Sequence, residues 1–293
     1  MKIDLHMHSK HSVDGEHSPT ELIKMAKAND LALVSLTDHD TIIGYSEFKQ
    51  AGLAYGVKTI PGIEISSQID ESSTHILGLN INPESKRFDY LLENFESKER
   101  ATTAKLIEMF QEELNLQVPF EEMMDRCRHS IFSLVPLVEE LTANPYYQRF
   151  DLVKPYLPGG NRSDLPIVNF YWDHCQKGGR FYIYMDIPTY DEIIDEIHKD
   201  GGLAILAHPF NTFYQQNEYL QMMLDAGLDG IEAYSNYHSP EQNLWYRNYA
   251  LEKGLLISGG SDYHGAFKPQ ISIGEFGCDD QDEIFKALIK ELG

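Results

Sequence analysis

Side chains of the kinds that hold metal ions recur in short motifs from one end of this 293-residue chain to the other. Asp4-Leu5-His6-Met7-His8 opens it, Asp14 follows closely, and Ser261-Asp262-Tyr263-His264 stands near its end. Between them come Thr37-Asp38-His39-Asp40, Gly62-Ile63-Glu64, Thr74-His75 and Ala207-His208-Pro209, most of them directly after a short run of Val, Ile, Leu or Ala. Ligand types at the ends of successive strands imply one shared site, and a closed barrel would bring the first and last strands side by side. Joint ligation by His6 and His8 is expected to require a strand that twists out into a loop there. Asp262 and His264 make a second pair of the same spacing, and Gly259-Gly260 before them lets backbone and metal approach closely. Imidazole with carboxylate suits zinc, manganese, iron or cobalt, whereas magnesium prefers nearly all oxygen; with no thiolate in any motif, Mn, Fe and Zn stay open. Glu64 has two oxygens with which to bridge two ions, and Asp262 can do likewise.

Around these lie residues with supporting parts. Asp38 and Asp40 flank His39 and are expected to orient imidazoles from behind. Arg128, Arg162, Arg180 and Lys268 are the cationic candidates for gripping a phosphate, and His238, in a loop after a strand, is a further substrate contact. His11 and His17 read as exposed loop residues, and His129, His174 and His198 fall in helical patterns. The aromatics at Phe170 to Trp172 and Phe181 to Tyr184 read as core, and Cys175 as a buried thiol.

The elements that must position this chemistry alternate between short apolar segments and helical patterns, the signature of βα units and a mainly parallel sheet. Ser18-Pro19-Thr20-Glu21 is a helix start with a capping box. Leu31 to Leu36 reads as a strand, Tyr45 to Tyr55 as a helix, and Val57 to Ile60 and His75 to Leu79 as strands. From about residue 85 to 180 the rhythm turns helical, with Ala101, Ala104, Ile107, Met109 and Phe110 on one face. A helix opening at Asp164-Leu165-Pro166 is expected to run to about Gly178-Gly179. Alternation is expected to resume with the apolar stretch Phe181 to Met185, a second capping box at Thr189 to Glu192, and strands at Leu203 to Ala207, Gly230 to Tyr234 and Leu255 to Ser258. Asp280 to Leu292 reads as a terminal helix. This predicts a barrel domain from residues 1–84 and 181–293 and an inserted helical cap at 85–180.

At 33.5 kDa the chain has room for one large core plus a smaller inserted unit. Its net charge of −22 repels a nucleic-acid backbone unless cations reverse the sign locally, so an acidic chain that handles phosphate needs bound metal. Cys127, Cys175 and Cys278 are odd in number and far apart, which argues for reduced thiols. No apolar leader or stretch of about 18 apolar residues is present, so the expectation is a soluble, cytoplasmic protein without membrane contact.

These motifs, together with Ser9, Gly15, Thr41, Ile65-Ser66 and Ile76-Leu77-Gly78, resemble the polymerase and histidinol phosphatase (PHP) superfamily of metal-dependent phosphoesterases. The resemblance covers residues 1–82 and 181–293. It implies an α/β fold, a distorted (β/α)7 barrel, with two or three divalent transition-metal ions at the C-terminal strand ends. Carried over by position, His6, His8, Glu64 and Asp262 would hold one ion, Asp14, His39 and His264 a second, and Glu64, His75 and His208 a third, making the site trinuclear. Some relatives have histidine where Asp14 stands, so this position would tune metal binding. The cap resembles that of the nucleotide and nucleoside-bisphosphate phosphatase branch, but the branch's Arg-Pro-His-type motif reads Arg128-His129-Ser130 here, which keeps Arg128 as a phosphate contact and loses the histidine.

In such a site a metal-bound hydroxide attacks phosphorus in line, with the leaving group protonated by metal-bound water or a nearby histidine. Three divalent ions against Asp14, Glu64 and Asp262 leave roughly +3, enough to attract a phosphate dianion to an acidic protein. The function expected is a phosphatase acting on a small phosphomonoester, a nucleotide or nucleoside bisphosphate. The alternatives are a phosphodiesterase or exonuclease on short oligonucleotides, a non-catalytic metal-binding regulatory module, and an amidohydrolase. An amidohydrolase would often have a mid-barrel lysine where Glu64 stands and would lack the terminal Asp-x-His.

Overall fold

A computed structural model describes residues 1–126 and 134–293, with the side chains of 92–94, 96, 211 and 212 left aside. In chain order the strands are β1 Lys2–Asp4, β2 Leu31–Leu36, β3 Lys58–Ile69, β4 Ser72–Leu79, β5 Leu203–Leu206, β6 Gly230–Ser235 and β7 Leu256–Gly260. The α-helices begin with α1 Pro19–Ala28, α2 Tyr45–Tyr55, α3 Asp89–Leu114, α4 Phe120–Asp125, α5 Leu134–Ala143, α6 Pro145–Gln148 and α7 Pro166–His174. After these come α8 Tyr190–Lys199, α9 Phe210–Phe213, α10 Asn217–Asp225, α11 Pro240–Lys253, α12 Gln281–Ile284 and α13 Lys286–Glu291.

The seven strands form one sheet in the order β1 to β7. It curls until its ends meet: the Leu5 amide donates to Gly259, the Asp262 amide to His6 and the His8 amide to Tyr263. The result is a nearly closed α/β barrel, as the sequence led us to expect. β1, β2 and β3 pair in parallel, as do β5, β6 and β7, whereas β4 runs antiparallel to β5. The reversal follows from the two-residue turn Asp70-Glu71 between β3 and β4, both residues in the left-handed region at φ 47° and 63°, a type I′-like geometry that favours tight hairpins. Because β4 runs backwards, His75 near its start lies at the barrel end where the other strands finish.

Helices cover the barrel through single apolar faces. Ile193, Ile194 and Ile197 of α8 are buried in the main core with Ile63, Ile65, Leu77, Leu79 and Ile205, and Leu22, Ile23 and Ala26 of α1 pack with Phe48 of α2 and Val34 of β2. Removing such faces from water, at about 25 cal/mol per Å², is the main favourable term for these contacts. The capping boxes at Ser18/Glu21 and Thr189/Glu192 form as expected, and Ser239/Gln242 adds a third.

Two compact units emerge: Met1–Ile69, Ser73–Leu92 and Pro188–Gly293 in one, Asp70–Ser72 and Glu93–Ile187 in the other. These limits differ from the expected 84/85 and 180/181 for a packing reason. Phe88 and Leu91 belong to the barrel core, whereas Phe181 joins the second unit's core, its ring stacked on Phe110 at 4.1 Å. The same contact explains why Phe181 to Met185 forms no strand: the chain there serves a helical core, and Tyr182 donates to the Glu71 carbonyl. α7 stops at His174, short of Gly178, and the terminal helix is broken at Phe285, which is fully buried against the barrel. Among the described residues no helix is long and apolar enough to cross a membrane.

Candidate metal centre

His6 and His8 need no departure from extended chain, which corrects the expected twist into a loop. Residues two apart on a strand point to the same side. Between β2 and β7 the chain stays held, with the Met7 amide donating to Thr37 Oγ1 and the Met7 carbonyl accepting from the Thr37 amide, while Leu5 and Met7 are buried on the opposite side. The β2–β3 ladder continues past β2 through a bridge between His39 and Glu64. Asp40 and Asp262 both sit in the left-handed region, φ 54°, where strands end and side chains are redirected. The glycine before Ser261 serves backbone approach: a Cβ on Gly260 would lie 2.3 Å from the His6 Cβ.

All nine expected ligand residues converge at this end of the barrel. His6 Nε2 and His8 Nε2 lie 3.1 Å apart, Glu64 Oε2 is 3.0 Å from each, and Asp262 Oδ1 is 3.2 and 3.0 Å from them. On the other side of the Glu64 carboxylate, Oε1 is 2.9 Å from both His75 Nδ1 and His208 Nε2. Asp14 Oδ2 lies 3.1 Å from His264 Nε2 and 3.9 Å from His39 Nε2. Three overlapping groups are close enough to hold an ion: His6, His8, Glu64 and Asp262; His8, Asp14, His39 and His264; and His39, Glu64 and His75. His8 thus joins the second set, and in the third His39 stands where His208 was expected, with His208 meeting Glu64 Oε1 from outside that group.

Hydrogen bonding assigns the imidazole tautomers, and the assignment is informative. His6 Nδ1 faces the Glu232 carboxylate at 3.1 Å and so carries its proton, leaving a lone pair on Nε2. Ser12 Oγ donates to Asp14 at 3.0 Å, so His8 Nδ1, 3.2 Å from that oxygen, is the donor, and its Nε2 also bears a lone pair. His264 Nδ1 donates to the Asp262 carbonyl at 2.8 Å, turning a lone pair toward Asp14. The Nε2 atoms and the carboxylate oxygens therefore point at one another from buried positions, an arrangement that needs a cation between them, either a metal ion or a proton. His39 Nδ1, His75 Nδ1, Asp262 Oδ1 and His264 Nε2 are among the buried polar atoms with no hydrogen-bond partner. Donors about 3.1 Å apart at tetrahedral corners or adjacent octahedral positions sit about 1.9–2.2 Å from the centre, the range of first-row metal bonds to nitrogen and oxygen. The residues present fit the group.

Protons take the cation's place when it is absent. Burial opposes charge on His6 and His8, but Glu64 and Asp262 outweigh it and push His8 up to about 9 and His6 well up as well. Burial likewise opposes ionisation of Asp14, Glu64 and Asp262, but the imidazoles around them, and Lys268 first of all beside Asp262, hold these carboxyls well below the usual range. Burial keeps His39 neutral, down to about 3.

The supporting residues differ from expectation. Among the described residues Asp38 and Asp40 are hydrogen-bonded to no imidazole: Asp38 accepts from the Ser9 amide and hydroxyl at 2.6 and 2.8 Å, and Asp40 from those of Ser66 at 3.0 and 2.8 Å, so they brace loops. Glu232 was missed and is central. It is fully buried and accepts from His6 Nδ1 and, at 2.7 Å, from the His208 amide. Asp4 and Ser12 were also missed; Asp4 accepts from the Ser261 amide and hydroxyl and from the Gly274 amide. The signal was there for the two acids, each the single charge inside an otherwise uncharged strand end, Ile3-Asp4-Leu5 and Gly230-Ile231-Glu232-Ala233-Tyr234.

Of the substrate-contact candidates, Arg128 lies outside the described residues. Arg162 is engaged bidentately by Asp173 and Arg180 by Glu113, both within the second unit. Both ring nitrogens of His238 are engaged within the fold: Nε2 accepts from the Phe210 amide at 3.0 Å, and Nδ1 faces the Ala233 carbonyl and Asn243, so it braces the loop after His208. Lys268 does reach the cluster, through Asp262. His11 and His17 are half-buried rather than exposed, and His174 and His198 pair with Tyr156 and Asp229.

The chain belongs to the PHP domain family, whose sequence model matches residues 4–156. It is 27% identical over 293 residues to a 3′,5′-nucleoside bisphosphate phosphatase of Chromobacterium violaceum, spanning 99% of this chain and 96% of that one. It is 29% identical over 266 residues to a 5′-3′ exoribonuclease of Haemophilus influenzae, spanning 90% of each. The fold matches a solved structure from Bifidobacterium adolescentis, assigned as a metal-dependent phosphoesterase, with a TM-score of 0.74 at 23% identity, covering 99% of this chain and 96% of that one. The protein is accordingly a metal-dependent phosphoesterase of the PHP superfamily.

Proposed function

We propose that the protein is a phosphatase that releases phosphate from a small phosphomonoester, a nucleotide or nucleoside bisphosphate, using two or three divalent ions of Mn, Fe or Zn. The observation that carries this reading is the convergence of buried imidazoles and carboxylates, His6 and His8 on Glu64 and Asp262 at 3.0–3.2 Å and His264 on Asp14 at 3.1 Å, in overlapping groups close enough to hold ions. His6, His8, Glu64 and Asp262 would hold one ion, Asp14, His39 and His264 a second, and Glu64, His75 and His208 a third. When bound, such ions supply Lewis acidity, an activated water and charge to offset the phosphoryl group.

The residues themselves do the positioning. Glu64, with imidazoles at both oxygens, ties adjacent positions together, and Glu232 fixes the ring of His6 and the backbone of His208. Neutral His39 keeps a donor pair available without a proton to lose. Near full-length likeness to the nucleoside bisphosphate phosphatase supports the monoester class. The exoribonuclease likeness supports a second reading, removal of terminal nucleotides from short RNA.

Metal analysis of the purified protein followed by phosphate-release assays separates the two. Mononucleotides, nucleoside bisphosphates, sugar phosphates and short oligonucleotides are supplied with Mn, Fe or Zn. Phosphate release from mononucleotides or bisphosphates is expected; nucleotide release from oligomers alone would transfer the assignment to the nuclease.

A further inference from the structure

Asp262 turns its two carboxylate oxygens to different neighbours. Oδ1 faces His6 and His8 in the four-residue group. Oδ2 accepts from the Tyr237 hydroxyl and, at 2.8 Å, from Lys268 Nζ. Lys268 Nζ also donates to the Tyr237 oxygen at 2.6 Å, so ammonium, phenol and carboxylate close a ring of hydrogen bonds. The three come from separate segments: Asp262 just past β7, Tyr237 in the loop after β6, and Lys268 at the end of the short 3-10 turn Gly265–Phe267. Among the described residues, Lys268 is the lysine or arginine ion-paired to a carboxylate of the cluster.

We propose that Lys268 and Tyr237 are positioning residues that restrict Asp262 to single-oxygen ligation of the ion it shares with His6 and His8. A carboxylate is free to bind an ion through one oxygen or two, or to bridge two ions. Two donors on Oδ2, one of them cationic, make its rotation toward an ion costly, since charge-assisted hydrogen bonds are about twice as strong as neutral ones. Bridging is then left to Glu64, both of whose oxygens face imidazoles, which revises the expectation that Asp262 bridges as well. The backbone adds a reason for the tether: Asp262 holds φ 54°, which side-chain-bearing residues rarely adopt, and the ring fixes where its side chain points. By sparing one coordination position, the tether leaves room for water or a phosphate oxygen. It also reassigns Lys268, two of whose three N–H groups are already committed, from substrate grip to ligand control.

This inference rests on the metal reading above, and its test uses metal alone. Wild type, K268M and Y237F are loaded with Co(II) or Zn(II), titrated with a competing chelator, and the Co(II) forms are compared by visible absorption, which reports coordination number. Y237F keeps the aromatic side chain while removing the hydroxyl, and decides the matter if K268M fails to fold. Affinity is expected to fall about 10–100-fold in K268M, as for other partners of ligating groups, with weaker Co(II) absorption as Asp262 becomes bidentate. Y237F should shift both in the same direction, and the double variant should be little worse than K268M because both groups act on one oxygen. Unchanged affinity and spectrum in the variants would overturn the tether while leaving the metal reading intact. A raised KM with unchanged metal affinity in K268M would return Lys268 to substrate binding. Wild type that retains no metal would sink the proposed function itself.

Discussion

Replacing Glu232 by Gln tests whether the buried carboxylate behind His6 governs the metal centre. In the structure one carboxylate accepts from two donors, His6 Nδ1 at 3.1 Å and the His208 amide at 2.7 Å, and it is fully buried. An amide has only one oxygen to offer. Its NH2 group must face either the imidazole or the amide, donor against donor. A buried donor left without an acceptor costs about 1–3 kcal/mol, and 1.4 kcal/mol is a factor of ten, so the ion beside His6 should be held roughly 10–100-fold less tightly. The change is nearly isosteric, so core packing around Ala233 and Ile231 is preserved. Chelator competition against Mn(II)- or Zn(II)-loaded protein measures the effect, and thermal melting of the metal-free variant shows that the fold persists. Metal retained as tightly as in wild type, in a folded variant, would refute the claim that Glu232 sets the orientation and proton position of His6.

Other expectations concern different levels of the structure. Glu64→Gln removes a charge that touches five imidazoles through two oxygens and should lower metal content and turnover together; full metal content with full activity would remove Glu64 from the centre. His238, which burial pushes down to about 4, is neutral in the fold while the unfolded chain takes up a proton below about 6.5, so its stability contribution is intact above that pH and declines as pH falls toward 4. That loss is about 3 kcal/mol from the size of the shift, and His238→Gln should flatten the denaturation profile between pH 7 and 4; an unaltered slope would mean that His238 titrates normally. Burial pushes Cys175 up to about 12, so at pH 8 its thiolate is scarce and alkylation, followed site by site by mass spectrometry, should be on the order of 10³-fold slower than in the unfolded chain. Equal rates in the two states would contradict the burial.

Local signals carried much of this molecule. The six-residue run Leu31–Leu36 and the helix Tyr45–Tyr55 are where their periodicity places them, and Ser18-x-x-Glu21 caps as its spacing demands, because each depends on neighbours a few residues away. The ligand residues were legible for a similar reason: histidines and acids directly after apolar runs stand at strand ends whatever the barrel's detail. The turn at Asp70-Glu71 was not read as a reversal of β4, although two acids between β-rich runs admit it.

Tertiary structure alone decided how these side chains were divided. Whether an acid ligates or braces depends on what lies across the barrel: Glu64 and Glu232 both sit in strands, yet one meets ring nitrogens from five histidines and the other the Nδ1 of His6 and a backbone amide. His238 and Lys268 looked alike as polar groups near a site, and only partners from other segments, Phe210 for one and Asp262 with Tyr237 for the other, separated them. Phe181 shows the same dependence in packing, since its stacking on Phe110, 71 positions earlier in the numbering, withdraws an apolar stretch from the sheet. Residue type and spacing determined which groups were available for chemistry; hydrogen-bond partners and burial, which follow from long-range closure of the chain, determined which lone pairs were left over for a cation.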